Sequence, residues 1–503
     1  MLGSSASAKD GHTEKRHEFG QFLTPRPVAD LMASMFDINA GDVELLDAGA
    51  GEGALTAAFV RRVCAETSKP KRLSVTAYEL DTSLIDQLRQ TMSDCQKECE
   101  LVGIPFFATV VNEDFISAAA PAARGGLFST EFPSFNAAIV NPPYRKIRSS
   151  SASRLWLRSA GIETSNLYTA FVALIIKLLA TGGQLVAITP RSFCNGPYFK
   201  PFRADFLSRL SLRRLHVFES RSAAFSRDNV LQENIIVHAV KGDAKPEGVI
   251  ISTSSGKPHG EIIERQVHYR DVVSPTDADQ FIHLVVDDAH RNAKSAVAQL
   301  SATLAEIGLS VSTGRVVDFR ARPFLRQQPD ANTVPLIYPC HFSGGFVNWP
   351  KASSRKPNAI VCDEMTRELL VPSEVYVLVK RFTAKEERRR VVACIYDPEK
   401  LATASVGFEN HLNYFHLNGG GLSMNLAKGL AAFLNSTVVD TYFRQFSGHT
   451  QVNATDLRAL RYPSRVELER LGTKIDDPAM NQQETDELVA QEIFYGKEAA
   501  QPI

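Results

Sequence analysis

The chain has 503 residues, of which 44% are hydrophobic and 22% charged, a composition typical of a soluble globular protein that excludes a fibrous or disordered one. This length predicts two or three domains. The 56 basic side chains balance the 56 acidic ones, so net charge alone does not indicate a polyanionic partner. No apolar run reaches the roughly 18 residues of a membrane span, and the N-terminus lacks the apolar core of a signal peptide. We therefore expect a cytoplasmic protein with no membrane partner.

Seven cysteines are scattered along the chain, and their odd number argues against a framework of disulfides. The one close pair, Cys95 and Cys99, lies four residues apart on a predicted helix. This pattern predicts reduced thiols and no metal site.

Short β-rich runs alternate with helical stretches from Val43 to about Val240, which predicts a doubly wound α/β sheet. The predicted strands are Val43–Leu46, Leu73–Tyr78, Phe106–Val111, Ala137–Val140, Gln184–Thr189, Leu215–Phe218 and Ile235–Val240. Helices are predicted to begin at Ala54, Ser83, Leu167 and Phe202. We expect Gly182 and Gly183 to end the helix that begins at Leu167.

After about Lys241 the sequence becomes polar and is punctuated by proline and glycine, which predicts a domain boundary. The segment that follows contains short β-like runs, including Glu374–Val379 and Val391–Tyr396. An apolar stretch at Leu426–Leu434 predicts a helix. These irregular elements indicate a second domain of mixed type.

A glycine-rich turn follows the first predicted strand, in the sequence Asp47-Ala-Gly-Ala-Gly-Glu-Gly53. Glycines such as Gly49 and Gly51 let the backbone approach a nucleotide-like ligand at the carboxyl edge of the sheet. A plain tight turn is the alternative interpretation. The turn therefore indicates a ligand site only in combination with its neighbours.

Acidic residues follow the next two predicted strands. Glu79 closes the second strand, where a carboxylate can accept hydrogen bonds from both hydroxyls of a ribose. Asp114 and Phe115 follow the third strand, where they could bond and stack on an adenine ring, although a surface turn explains them equally well. A glycine turn followed by a strand-end acid also fits NAD enzymes, so these motifs do not separate methyl transfer from hydride transfer.

The tetrapeptide Asn141-Pro142-Pro143-Tyr144 follows the fourth predicted strand, where its prolines end the strand and fix the backbone. An exocyclic amine on a purine is a poor nucleophile because its lone pair is delocalised into the ring. Acceptors on the Asn141 side chain and the Pro142 carbonyl would localise that lone pair, and Tyr144 would stack on the base. The alternative is a strand-ending turn with a packed tyrosine.

Together these motifs resemble the γ-class N6-adenine DNA methyltransferases of restriction–modification systems, the TaqI-like group, from about Phe19 to Val240. The resemblance implies a Rossmann-like class I methyltransferase sheet, in an α/β fold, with a C-terminal mixed α+β target-recognition domain. It implies S-adenosyl-L-methionine as the cofactor and double-stranded DNA, with an adenine flipped out, as the substrate. A restriction endonuclease would be a functional partner, not necessarily a physical one.

The resemblance also assigns expected roles to individual residues. Thr24 and Pro25, in Phe19-Gly-Gln-Phe-Leu-Thr-Pro25, match a motif that folds over the methionine end of the cofactor. The remaining cofactor-binding positions that it implies are Asp47, Gly49, Gly51, Glu79, Asp114 and Phe115. The catalytic positions that it implies are Asn141, Pro142, Tyr144 and Phe225. Phe225 would pack on the flipped base from the other side, and a core phenylalanine is the equal alternative.

The implied organisation has five parts. A flexible N-terminus covers 1–18, a catalytic domain 19–245, a connector 246–300, a recognition domain 301–465 and a tail 466–503. Two basic stretches, 145–158 and 380–390, could contact phosphates or be solvated faces. We expect Arg145, Lys146 and Arg148 to lie on a mobile loop that closes on phosphates around the flipped nucleotide.

Polar residues of the C-terminal part are candidates for reading bases, but the sequence assigns no base to any of them. These candidates are Tyr338, His341, Asn348, Trp349, Asn410, His411, Asn413, His449, Gln451 and Asn453. Asn453 and Asp456 are more readily interpreted as caps of a short helix.

Two other functions remain open. Methyltransferases of the same chemistry act on structured RNA or on glutamine in a release factor, and they also carry an Asn-Pro-Pro-Tyr motif. A catalytically silent DNA-specificity module is the second possibility. N4-cytosine methylation would use the same geometry, although that class more often carries Ser or Asp in place of Asn141.

Overall fold

The structure is a computed structural model that describes residues 23–124, 132–218, 233–242, 244–255, 260–401, 403–448 and 450–495. It contains two compact units, of which unit 1 ends at Val286 and unit 2 begins at Asp287. Within the described ranges, no helix is both long enough and apolar enough to cross a membrane.

Unit 1 is built from strands and helices that alternate along the chain. Its strands are β1 (Asp42–Ala48), β2 (Arg72–Tyr78), β3 (Phe106–Val111), β4 (Phe135–Val140), β5 (Leu179–Pro190), β6 (Leu210–Phe218), β7 (Asn234–Lys241), β8 (Gly248–Ser254) and β9 (Ile262–His268). Its helices are α1 (Arg26–Ser34), α2 (Ala54–Ala65), α3 (Ile85–Leu101), α4 (Phe115–Arg124), α5 (Ala152–Ser159), α6 (Leu167–Leu178), α7 (Lys200–Arg209) and α8 (Tyr269–Val272).

These strands form one sheet in the order β3-β2-β1-β4-β5-β7-β6-β8-β9. The strands from β3 to β5 are parallel, whereas β7 is antiparallel to both β5 and β6. Strands β2 and β3 lie on one side of β1, whereas β4 and β5 lie on the other side. A reversal of this kind leaves a crevice at the carboxyl ends of the strands. This arrangement is the Rossmann-like class I methyltransferase sheet, so the predicted fold class is confirmed.

Apolar side chains cover both faces of this sheet. Helices α1, α2 and α3 bury their apolar stripes against one face, and α4, α6 and α7 against the other. Helix α6 is buried on nearly all sides, and its sequence is apolar except at Thr169 and Lys177. Strand β4 is likewise buried at all positions except Asn136, as expected for a central parallel strand. The packed layers therefore hold the strand ends rigidly.

The structure differs from the sequence prediction at the end of α6. The prediction that Gly182 and Gly183 end this helix was wrong, because the helix ends at Leu178 and both glycines lie within β5. Leu179 already pairs with Phe135 of β4, so strand pairing stops the helix earlier. The sheet also continues to β9, beyond the predicted end of the catalytic segment at 245.

Unit 2 contains two small mixed sheets and a set of helices. Its six-stranded sheet has the order β10 (Ser310–Thr313), β20 (Leu412–His416), β17 (Tyr376–Lys380), β18 (Ala393–Tyr396), β14 (Phe346–Val347) and β13 (Phe342–Ser343). Its five-stranded sheet has the order β11 (Leu325–Arg326), β15 (Ala359–Val361), β12 (Thr333–Ile337), β19 (Ser405–Phe408) and β16 (Leu370–Pro372). Its helices are α9 (Asp288–Ala298), α10 (Asp318–Ala321), α11 (Met424–Leu434), α12 (Thr437–Phe446), α13 (Ala454–Ala459), α14 (Arg465–Thr473) and α15 (Gln482–Val489).

An aromatic cluster forms part of the core of unit 2. Tyr376 packs edge-on against Phe408 and Tyr414, with ring centroids 5.4 and 5.9 Å away. The predicted β-like runs correspond to β17 and β18, and the predicted helix at Leu426–Leu434 corresponds to α11. Unit 2 is therefore a mixed α+β unit.

Candidate active site

A cavity of about 320 Å³ opens at the carboxyl ends of β1, β2, β3 and β4. Parallel strands bring the residues that follow each of them to one edge of the sheet, which explains why four separate motifs meet here. Of the predicted cofactor-binding residues, those that line the cavity are Thr24, Gly49, Gly51, Glu79, Asp114 and Phe115. Asn141 and Arg145 also line it.

The glycine turn after β1 has a backbone that side-chain-bearing residues rarely adopt. Gly49, Gly51 and Gly53 have φ values of 81°, 58° and 85°. The amides of Gly49 and Ala50 both donate to the carbonyl of Tyr78, each at 2.9 Å. These bonds tie the turn to the end of β2 and form one wall of the cavity.

Glu79 is almost fully buried at the end of β2, yet its carboxylate borders the cavity. Oε2 accepts a 2.8 Å hydrogen bond from the Gly51 amide, and Oε1 accepts a 2.7 Å bond from the Asp81 amide. These bonds fix the orientation of the carboxylate at the cavity wall, and a carboxylate is an acceptor suited to ligand hydroxyls.

Asp47 lies beneath the glycine turn and is not among the residues that line the cavity. Its side chain is fully buried, and Oδ2 accepts a 2.7 Å hydrogen bond from the hydroxyl of Thr56 in α2. Oδ1 has no hydrogen-bond partner in the described part of the chain. Burial raises the pKa of Asp47 to about 7, although the hydrogen bonds from Thr56 oppose the shift.

Asp114 and Phe115 begin α4 at the far wall of the cavity. Asp114 Oδ1 accepts a 2.8 Å bond from the amide of Ile116 and so caps this helix. The Phe115 ring is nearly buried, with its centroid 5.3 Å from the Tyr78 ring and 5.1 Å from the Phe171 ring. This wall therefore offers apolar, aromatic surface beside a carboxylate.

The Asn141 amide lies between two hydroxyl groups. Its Nδ2 donates a 3.0 Å hydrogen bond to Thr24 Oγ1, from a segment 117 residues away. The Tyr144 hydroxyl lies 3.0 Å from Asn141 Oδ1 and 3.3 Å from the Ile188 carbonyl, so it can donate to either. Burial raises the pKa of Tyr144 well above its usual value, so this hydroxyl keeps its proton. Both ends of the amide are thus oriented.

The other predicted residues of the N-terminal and catalytic motifs lie outside the cavity lining. Pro25 is exposed, and its carbonyl accepts from the amides of Val28 and Ala29 at the start of α1. Pro142 is buried at the end of β4. Phe225 lies outside the described residues.

The basic segment after the tetrapeptide is partly ordered by its neighbours. Arg145, Lys146 and Arg148 are exposed. Residue 146 forms a β-bridge with residue 166, and the segment continues into helix α5. Both Arg154 and Arg158 form ion pairs with Glu163. The cationic groups nearest the cavity therefore come from the first part of the segment.

In unit 2, several residues that the sequence indicates as candidates for contacting DNA are buried or pack within the unit. Tyr338, His341 and Asn413 are buried, as is Arg390 of the second basic stretch. A buried arginine cannot contact a phosphate, so that stretch is not simply a cationic face. Asn453 and Asp456 form a capping box at the start of α13, which confirms the preferred interpretation.

Sequence reasoning did not single out several residues that line the cavity. Tyr78 and Leu80 flank Glu79, and Glu113 precedes Asp114, so adjacency to a motif could have identified them. Ser153 lies in α5, within the basic stretch 145–158, but its own side chain was not a candidate. Its place in the lining arises from how the chain folds after the tetrapeptide.

The chain is similar to known proteins in sequence. Residues 72–225 match the family described as Eco57I restriction-modification methylase. The chain is 45% identical over 480 residues to the Type II methyltransferase M.PstI of Providencia stuartii, an alignment that covers 95% of this chain and 93% of that protein. The chain belongs to the Type II methyltransferases of restriction–modification systems.

Two further similarities accompany this assignment. The Type II methyltransferase M.BsuBI of Bacillus subtilis is 43% identical over 468 residues, which cover 91% of this chain and 90% of that protein. The solved structure of the type IIG restriction endonuclease BpuSI has a TM-score of 0.47 and 14% identity, covering 98% of this chain and 65% of that one.

The cofactor of this Type II methyltransferase is S-adenosyl-L-methionine, and the cavity residues fit it. Glu79 presents a fixed carboxylate suited to ribose hydroxyls, and Phe115 offers an aromatic wall suited to an adenine ring. Asp114 adds a second carboxylate next to that aromatic wall. The cavity therefore combines the polar and aromatic groups that a nucleoside ligand requires.

The raised pKa of Asp47 predicts an unusual pH dependence of stability. The folded state holds a proton up to about pH 7 that the unfolded chain releases near pH 4, so folding loses stability as pH rises between these values. The free energy of unfolding of Asp47→Asn, relative to that of the wild type, should rise by on the order of 1 kcal/mol per pH unit across this window. Above pH 8 this difference should stay constant. Urea unfolding from pH 5 to 8 measures this difference, and a constant difference would contradict the assigned titration.

Proposed function

We propose that this Type II methyltransferase transfers a methyl group to the exocyclic N6 of an adenine flipped out of duplex DNA. The observation that carries the proposal is the oriented Asn141 amide at the cavity edge, within the Asn-Pro-Pro-Tyr tetrapeptide. Such methylation would protect host DNA from a cognate restriction endonuclease. The similarity to Type II methyltransferases and to a restriction-modification methylase family supports DNA as the substrate class.

The cavity residues would hold the cofactor in one orientation. When bound, S-adenosyl-L-methionine supplies an electrophilic methyl group. Glu79 would bind the ribose, Asp114 and Phe115 the adenine ring, and the glycine turn with Thr24 the methionine end. Pro25 and Asp47 would not contact the cofactor themselves. Pro25 would support the site by starting α1, and Asp47 would support the glycine turn through its hydrogen bond with Thr56.

The Asn141 amide would bind the amine of the target base. The Oδ1 atom and the Pro142 carbonyl would accept the two N6 hydrogens and localise the nitrogen lone pair toward the methyl donor. The hydrogen bond from Nδ2 to Thr24 fixes which end of the amide carries the acceptor. Thr24 would therefore be a positioning residue for catalysis as well as a neighbour of the cofactor.

Tyr144 would change partners when the base arrives. Its hydroxyl lies next to the Oδ1 atom that the base amine would use, and next to the Ile188 carbonyl. Because the carbonyl is an alternative acceptor, Tyr144 can release Oδ1 without leaving its proton unpaired. Its ring would then provide one stacking surface for the base, and Phe225 is proposed for the other.

Unit 2 would recognise the DNA sequence. It begins at Asp287 and contains the whole of the predicted recognition segment 301–465, together with the predicted tail. Methylation of RNA or of a protein glutamine is less well supported, because the similarity to Type II methyltransferases extends across 95% of the chain and so includes unit 2. A silent specificity module would not need an oriented Asn141.

Replacing the catalytic amide should separate binding from chemistry. Asn141→Ala should keep cofactor affinity within about twofold and lower methyl transfer by roughly 10²- to 10³-fold or more, because preorganised acceptors are lost. Calorimetry with the cofactor and a tritiated methyl-transfer assay measure the two effects. The control is Asn39→Ala, an exposed asparagine outside the cavity lining. Transfer at the wild-type rate would refute the assignment of Asn141.

The Thr24 hydroxyl should matter through Asn141. Thr24→Val removes the acceptor for Nδ2 and should lower kcat roughly 10-fold, as expected for the loss of one orienting hydrogen bond. Thr24→Ser keeps the hydroxyl and should restore most of the rate. If the valine variant raises only the KM for the cofactor and leaves kcat unchanged, Thr24 contacts the cofactor but does not position Asn141.

The exposed cations after the tetrapeptide should contribute to DNA affinity in general. Replacing Arg145, Lys146 and Arg148 with alanine should weaken binding to all sequences and reduce the slope of log K against log salt by roughly 2 to 3. A control that removes two cations away from the cavity replaces Arg89 and Lys97, which are exposed on α3. Fluorescence anisotropy at several salt concentrations measures the slopes, and an unchanged slope would exclude phosphate contacts by these residues.

A further inference from the structure

Three side chains from separate segments of unit 2 meet on one surface, which we call the reading face: Phe382, His411 and Gln451. We propose that the reading face contacts base edges in the major groove of duplex DNA and determines part of the methylated sequence. This inference rests on the proposed function, because it takes DNA as the substrate.

Backbone hydrogen bonds bring the three segments together. Residue 381 donates to the carbonyl of residue 411 at 2.8 Å, while residue 383 donates to residue 450 at 3.0 Å. Residue 452 donates in turn to residue 381 at 2.7 Å. The strip 381–383 is therefore held between the segments that carry His411 and Gln451. A scaffold of this kind fixes side chains precisely enough for recognition.

The three side chains project to the same side of this strip. Phe382 and Gln451 are partners in an antiparallel β-bridge, so their side chains share a face. The Phe382 and His411 ring centroids lie 4.7 Å apart. Phe382 is 40% exposed, and the His411 side chain is 45% exposed. The group is thus accessible, although parts of it are packed.

A buried carboxylate orients the His411 ring. His411 Nδ1 lies 2.5 Å from Oε1 of Glu409, and the His411 amide donates to Oε2 of Glu409 at 2.9 Å. Glu409 is completely buried, so Nδ1 points inward and Nε2 is left for an outside partner. Among the described residues, none forms a hydrogen bond with Nε2 of His411 or with the side-chain amide of Gln451. Two polar groups are therefore ready for a ligand.

The chemistry of the reading face suits base edges. A glutamine amide can bond adenine N6 and N7 together, and a phenylalanine can contact the methyl group of thymine. The Nε2 atom of His411 can donate to a purine N7 or accept from an amino group, depending on its protonation. This mixture of one apolar and two polar groups matches the edges that the major groove exposes.

The surroundings of the reading face suit a polyanion. The guanidinium of Arg381 lies 5.7 Å from the centroid of the Phe382 ring. The amide of residue 410, next to His411, donates to the carbonyl of residue 316 at 2.8 Å. Residue 316 belongs to the segment 314–326, which carries arginines at 315, 320, 322 and 326. Its one acidic residue, Asp318, is paired with Lys356 at 2.7 Å. Cations beside a base-reading group would fix its register on the phosphates.

The experiment maps the methylated sequence of variants. The double variant His411→Ala with Gln451→Ala is expressed with a plasmid library that carries a randomised segment, and single-molecule sequencing reports every methylated site. The matched control is His268→Ala with Gln483→Ala, an exposed histidine and an exposed glutamine outside the reading face. We expect discrimination at one or two positions of the site to fall roughly 10- to 100-fold, while cofactor affinity stays unchanged. The control should keep the wild-type sequence and rate.

Other results would overturn the inference. If the double variant methylates the wild-type sequence at a rate within twofold, the reading face does not read bases. The same holds if its sequence is unchanged but its oligomeric state is altered, because the face would then bind a second copy. If the double alanine variant has a lowered melting temperature, the methylated sequence is mapped instead for His411→Asn and for Gln451→Glu. Absence of DNA methylation by the wild type would instead refute the proposed function, and the inference with it.

Discussion

The proposed chemistry depends on the orientation of one amide. Asn141 is held between the hydroxyls of Thr24 and Tyr144, which fix the donor and acceptor ends of its side chain. Without those bonds the amide could rotate and present Nδ2, a donor, to a base amine that needs an acceptor. The sheet that carries Asn141 and the N-terminal segment that carries Thr24 serve this orientation directly.

The same sheet edge holds the cofactor cavity in place. Glycines 49, 51 and 53 let the turn after β1 fold back so that its amides bond the end of β2. Glu79 then accepts from that turn and borders the cavity at the same time. These bonds place the glycine turn and Glu79 in one crevice, which Asn141 also lines. Proximity of this kind is a large part of what a methyl-transfer site must provide.

Much of this site followed from the sequence, because each motif sits directly after a strand of strongly apolar, β-rich sequence. A parallel topology alone predicts that Glu79 and Asn141 lie at the same carboxyl edge of the sheet. Contacts across long separations could not be predicted, and the bond between Thr24 and Asn141 is one example. The end of α6 was misplaced because pairing between β4 and β5 outweighs the local signal of two glycines. Likewise, no local pattern joins Phe382 to Gln451 in unit 2.

In the proposed function, the oriented amide serves N6 methylation of adenine in duplex DNA. The most direct measurement is single-molecule sequencing of genomic DNA from cells that express the wild-type protein, beside cells that lack it. N6-methyladenine is expected at one defined sequence, at nearly every occurrence, and in the expressing cells alone. Modified cytosine at that site, or DNA without any added methyl group, would contradict it.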